Sequence, residues 1–195
     1  GYIVNDYYDV KIDYINKPER VVIGRSITRR YAILFHVVFS AIGILIGVYL
    51  SWSIAAVNIL SVFLLWLYSN NLKRQPFVGN LAVALLTGAS IFVVDMLYRT
   101  HNPLIIIYAL FAIFMTLVRE IIKDIEDLKG DNTFGCKTLP IIWGIRKTKV
   151  IIYTILGIFS IAVIVLNTRF EILPFQYYVL LLFAPLVWFV VRLYR

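Results

Sequence analysis

Six aspartates in two sets of identical spacing are the residues of this chain best suited to chemistry. Asp6, Asp9 and Asp13 lie in the stretch Asn5-Asp6-Tyr7-Tyr8-Asp9-Val10-Lys11-Ile12-Asp13, and Asp124, Asp127 and Asp131 repeat the same steps of three and four 118 residues later. On a helix, such steps place all three side chains of a set on one face. Ionised carboxylates so arranged repel one another, and near lipid each is costly. A solvated helix end with basic neighbours could carry one such set, but two point to a shared partner. Oxygen-only ligands favour Mg2+, which keeps several waters and bridges carboxylates to substrate phosphates. The two acidic faces therefore read as one site that holds divalent metal ions against a diphosphate. No Cys/His cluster has zinc spacing: Cys136 is the one cysteine, and His36 and His101 lie far apart.

Basic residues near the acids fit a phosphate ligand. Arg20, Lys73, Arg119, Lys123 and Lys137 are the candidates, with Arg suited to bidentate oxyanion contacts and Lys acting as a point charge. Arg25, Arg29 and Arg30 read as ordinary membrane-flanking charges. Lys73 stands out because Tyr68-Ser69-Asn70-Asn71-Leu72-Lys73-Arg74 is a polar break directly at the end of an apolar run.

The elements that must carry these residues are oily. Of 195 residues, 61% are hydrophobic and 15% charged, with a mean hydropathy of +0.85. A soluble domain is nearer half apolar and a quarter charged. The fold class is all-α, a polytopic transmembrane helical bundle in a single domain over 1–195. Residues 1–15 read as the end of an earlier helix, broken at Pro18. Six spans follow, at about 31–50, 54–69, 79–97, 103–118, 150–166 and 175–191, each approaching the ~20 residues of a bilayer crossing. Pro185 is expected to kink the last. Residues 130–144 are expected to form a loop with Pro140 as a breaker. Asp95, the one acid well inside a span, has Arg99 four residues on as a partner.

Alternating the connections of six spans puts 17 of the 19 basic residues on one side, leaving Arg99 and Arg169 on the other. The crowded side is cytoplasmic by the positive-inside rule. Both acidic sets fall there, so the site faces the cytoplasm. The net charge of +8 is thus read as orientation plus an anionic substrate, with no nucleic-acid partner. The chain begins at Gly1, shows no signal peptide, and is expected to be truncated at its start.

At this point the residues carry a resemblance. Asn5-Asp6-x-x-Asp9-x-x-x-Asp13 resembles the first signature of the UbiA family of intramembrane prenyltransferases, and Asp124-x-x-Asp127-x-x-x-Asp131 its second. Tyr68 through Lys73 with Gly79-Asn80 resembles the family's tyrosine–lysine turn and Gly-Asn helix start. Arg119-Glu120-x-x-Lys123-Asp124-Ile125-Glu126-Asp127 and Lys137-Thr138-Leu139-Pro140 are similar to the branch that includes geranylgeranylglycerol-phosphate geranylgeranyltransferases. The resemblance implies nine transmembrane helices around a central cavity with two Mg2+ ions. The first helix, most of the second and a final one after Arg195 are then missing, so the bundle is truncated at both ends. Pro18-Glu19-Arg20-Val21-Val22 lacks the second proline expected after Arg20.

The resemblance further implies transfer of a prenyl group from an allylic prenyl diphosphate to a hydrophobic or amphipathic acceptor, a geranylgeranylglycerol-phosphate-type hydroxyl. An aromatic quinone precursor is the alternative acceptor. Asp6, Asp9, Asp124 and Asp127 are the expected catalytic residues and, with Asp13 and Asp131, the metal ligands. Asn5, Arg20, Tyr68, Lys73, Asn80, Arg119, Lys123 and Lys137 are the expected substrate contacts. Tyr7, Tyr8, Phe63 and Tyr68 could face developing carbocation charge through their rings. A cation transporter and a non-catalytic membrane scaffold are the rivals from other classes. Transporter sites usually lie near the midplane, whereas these aspartates lie at span ends.

Overall fold

A computed structural model describes residues 1–100, 102–170 and 183–194. All the regular structure in them is helical: α1 (Tyr2–Asn16), α2 (Arg29–Leu50), α3 (Trp52–Asn70), α4 (Val78–Tyr98), α5 (Pro103–Glu126), α6 (Leu128–Thr133), α7 (Leu139–Phe170) and α8 (Ala184–Tyr194), with 3-10 turns at Pro18–Arg20 and Leu72–Arg74. Five of these helices are long and apolar enough to cross a membrane: α2, α3, α4, α5 and α7. Their outward faces expose Phe39, Leu45, Leu60, Tyr108 and Ile161, the pattern of helices solvated by lipid rather than water. This is an all-helical, multi-pass membrane fold. Two compact units make up the chain, Gly1–Ile142 and Trp143–Arg195. The acidic sets both belong to the first.

Local chemistry explains where the helices begin and end. α1 stops at Asn16 because Lys17 precedes Pro18, and Lys17 takes an extended-type φ of −145°. Behind α1, residues 21–28 fold back so that Val10, Val21, Ile23 and Ala32 form a buried cluster with Ile3, Tyr7 and Ile27 against it. α5 opens with Pro103 in its first turn and with Asn102 Oδ1 accepting from the Leu104 N–H at 3.0 Å.

Several boundaries differ from the sequence reading. The fourth span runs on past Val118 as one helix to Glu126, so Arg119, Glu120, Lys123 and Asp124 lie in its last turns. The 130–144 segment is not all loop. Leu128–Thr133 is helical, and a helix starts at Leu139, where Pro140 sits in a first turn that needs no N–H. The real break is Gly144, with φ 78°. Asp95 does not pair with the Arg99 side chain. Its Oδ1 accepts from Thr100 Oγ1 at 2.6 Å, while Arg99 adopts the left-handed conformation that ends α4. The sixth span and its Pro185 kink lie partly outside the described residues.

Candidate functional site

One side of α1, the ends of α3, α4 and α5, the 72–74 turn and α6 surround a cavity of about 650 Å3. All six aspartates line it, with Asn5, Arg20, Tyr68, Lys73, Asn80, Arg119 and Lys123. Of the expected substrate contacts, Lys137 is the exception. Its side chain is exposed and outside the cavity wall, and its backbone N–H donates to the Arg74 carbonyl at 2.8 Å. Lys137 therefore braces the lysine turn. Tyr7, Tyr8 and Phe63 line a separate apolar cleft of about 470 Å3.

Each acidic set meets a cation or amide from a different element. Lys73 Nζ pairs with Asp9 Oδ1, both side chains largely buried. The approach is possible because α4 starts almost on top of the lysine turn. At Gly79 a Cβ would lie 2.7 Å from the Leu72 carbonyl oxygen and 2.8 Å from the Lys73 Cα, a separation only glycine tolerates. One residue on, buried Asn80 donates from Nδ2 to Asp124 Oδ2 at 2.8 Å. One N–H of its amide thus holds Asp124 in place.

Two charged residues of the wall escape the sequence reading. Lys17, there only part of a helix break, places Nζ 2.8 Å from Asp127 Oδ1. The pair is close but off the direction of a hydrogen bond, so that oxygen remains without a hydrogen-bond donor. Glu120 is buried and bonds Arg119 Nη1 at 3.0 Å, with Lys123 Nζ 3.7 Å away. Its place one turn before Asp124 is the signal that could have found it.

The electrostatics are those of a site short of positive charge. Burial, then Asp9, Asp6 and Asp127, push the Asp13 carboxyl up to about 6. Burial, then Asp127 and Asp9, push Asp131 up to about 6. Each set therefore raises a carboxyl of the other. Burial lowers the Lys73 ammonium despite Asp9 beside it. Among the described residues no three Asp, Glu, His or Cys side chains form a ready-made cage for one ion. Repulsion, together with the pulls of Lys73, Lys17 and Asn80, holds the carboxylates apart. What remains fits Mg2+ well: all-oxygen donors, an Asn5 Oδ1 that is buried without a donor, and room for the waters and phosphate oxygens this ion prefers over a protein cage.

The comparisons with known proteins agree with this architecture. The sequence pattern of the UbiA prenyltransferase family matches residues 1–195. The digeranylgeranylglyceryl phosphate synthase of Methanosphaera stadtmanae is 37% identical over 187 residues, covering 96% of this chain and 68% of that protein. The protein of the same name from Methanobrevibacter smithii is 36% identical over 197 residues, with the same two coverages. A solved structure, from work described as "Structural and mechanistic insights into the biosynthesis of Digeranylgeranylglyceryl phosphate synthase in membranes", superposes with a TM-score of 0.71 at 25% identity. It covers 98% of this chain and 67% of that one. On the fold, the paired aspartate sets and these similarities, the chain belongs to the UbiA prenyltransferase family.

Proposed function

We propose that this chain transfers a geranylgeranyl group from its diphosphate to the free hydroxyl of a geranylgeranylglyceryl phosphate, the reaction whose product names its relatives. The observation that carries the reading is the convergence of two aspartate sets and Lys73 on one cavity in a membrane bundle. Asp6, Asp9 and Asp13 would hold one Mg2+ ion, and Asp124, Asp127 and Asp131 a second. When bound, the ions supply positive charge to the diphosphate as it departs.

The chain's own residues do the rest. Lys73 and Lys123 face the leaving diphosphate, and Asn80 fixes the orientation of Asp124. Asn5 adds an oxygen donor without adding charge. Arg20 lines the cavity and makes no ion pair with a described residue. With Arg119, whose ion pair among the described residues is with its neighbour Glu120, it fits the acceptor's phosphate. Tyr68 presents its ring to the cavity, where it can face the cationic allylic carbon. Leu65 and Val83 in the wall help exclude water, which would otherwise capture that carbon. The acceptor hydroxyl oxygen bonds to the allylic carbon as the carbon–oxygen bond to diphosphate breaks, and the hydroxyl proton leaves with the departing diphosphate. The excess of Lys and Arg on the motif side supports a cavity that opens to the cytoplasm.

The test is prenyl transfer in detergent or liposomes, with Mg2+, geranylgeranyl diphosphate and two acceptors in parallel. Geranylgeranylglyceryl phosphate should be converted to the digeranylgeranyl product. Conversion of an aromatic quinone precursor alone would overturn the acceptor. Mg2+ flux with no transfer to either acceptor would revive a transporter.

A further inference from the structure

Asn16, the last residue of α1, lies outside both aspartate sets and outside the cavity wall. Its carboxamide nevertheless reaches across to the joint between α5 and α6 and is used at both ends. Nδ2 donates to the Asp127 carbonyl oxygen at 3.1 Å, and Oδ1 accepts from the Gly130 N–H at 2.8 Å. These contacts bridge 111 and 114 residues of sequence.

The joint needs such help. Asp127 separates the two helices, and α6 has only six residues, too few to hold together by its own hydrogen bonds. The Gly130 N–H belongs to the opening turn of α6, where backbone donors lack helical partners. Asn16 therefore caps α6 from another helix. Gly130 is fitted to the contact. A Cβ there would lie 2.5 Å from Asn16 Nδ2 and 2.6 Å from both Cγ and Oδ1, so any larger residue would push the carboxamide out of this contact.

We propose that Asn16 is a positioning residue that sets the second aspartate set against the first, so that the site's affinity for Mg2+ depends on it. The inference rests on the functional reading above. Losing Asn16 lets α6 shift, and Asp127 and Asp131 then no longer face Asp9 and Asp13 at a fixed separation. Residues that orient ligands in this way typically govern metal affinity by ~10–100-fold.

The experiment uses N16A, G130A and the double variant of the protein purified in detergent. Two quantities are read: the Mg2+ concentration giving half-maximal prenyl transfer at saturating prenyl diphosphate, and the melting-temperature shift produced by Mg2+ with inorganic pyrophosphate. N16A should raise half-saturating Mg2+ about tenfold. Its kcat at saturating Mg2+ should stay within about threefold of wild type, because the ligands themselves are intact. G130A should act in the same direction, and it carries the test by itself should N16A fail to fold. The double variant should be no worse than the poorer single, since truncating Asn16 vacates the space that a Cβ at 130 would enter. A lower melting temperature with unchanged Mg2+ dependence would make Asn16 merely structural and overturn the proposal. Multiplying losses in the double variant would also overturn it. If wild type shows transfer without needing Mg2+, only this inference falls. If wild type shows neither transfer nor a pyrophosphate-dependent shift, the functional reading falls with it.

Discussion

The two aspartate sets share a spacing and little else. The first lies on α1, one uninterrupted helix with a packed apolar back formed by Val10, Val21, Ile23 and Ala32. The second is divided. Asp124 lies in the last turn of α5, Asp127 is the joint at φ −89° and ψ 6°, and Asp131 lies in α6. Helical hydrogen bonds persist on both sides, from Asp127 N–H to the Lys123 carbonyl and from Asp131 N–H to the Asp127 carbonyl. A spacing of three and four thus predicts a common face in both sets, but only α1 delivers it on a continuous rod. The difference teaches that the first set is rigid by its own packing, while the second is held in place by Asn80, Lys17 and Asn16 from other elements.

The largest effect tests what the sets share. Asp9→Asn and Asp127→Asn should each lower turnover by ~10²–10³-fold, the scale for removing one stabiliser of developing charge. Circular dichroism and melting temperature should remain near wild type. Full activity in either variant would break the pairing of the two sets.

Next come the lysines, where the sets should differ. Lys73 and Asp9 are 10% and 14% exposed, whereas Lys17 and Asp127 are 28% and 16% exposed. Lys73→Met strands a buried carboxylate and should cost about 3 kcal/mol of stability. Lys17→Met should cost under about 1 kcal/mol, because its pair is wetter and misaligned. Equal losses in denaturant melts would erase the contrast. Gly79→Ala gives a milder form of the Lys73 defect. Its Cβ collides with the lysine turn, so activity should fall about tenfold through displaced Lys73, while Mg2+ dependence changes little.

The contrast also marks what is legible in the sequence. Aspartate spacing, the oily spans and the polar break at Lys73 are local signals, each carried by neighbouring residues. Pro140 reads as a breaker because position within a helix cannot be seen from composition. Lys17 and Asn16 read as the edge of a break at Pro18. Their partners, Asp127 and Gly130, lie more than a hundred residues on, and no short pattern records such a pairing. Asn80 is recognisable as belonging to the site, but its hydrogen bond to Asp124 requires the fold.

The smallest effect is the pH dependence of stability in cation-free buffer, and it concerns Asp13 in the first set and Asp131 in the second. Both carboxyls are pushed up to about 6 from an ordinary value of 3.8. Ionising them therefore costs more in the folded chain than in the unfolded one. The stabilisation from holding them protonated is complete below about 3.8 and is lost as pH rises through about 6. Without divalent cations the melting temperature should rise modestly as pH falls from 7.5 to 5. Cation binding runs the other way, because it needs the ionised forms. The melting-temperature gain on adding Mg2+ should accordingly be larger at pH 7.5 than at pH 5. Asp13→Asn and Asp131→Asn should each flatten the cation-free profile. A profile flattened by Asp13→Asn but left unchanged by Asp131→Asn would show that burial, Asp127 and Asp9 do not act together on the second set, which would break the likeness between the two sets.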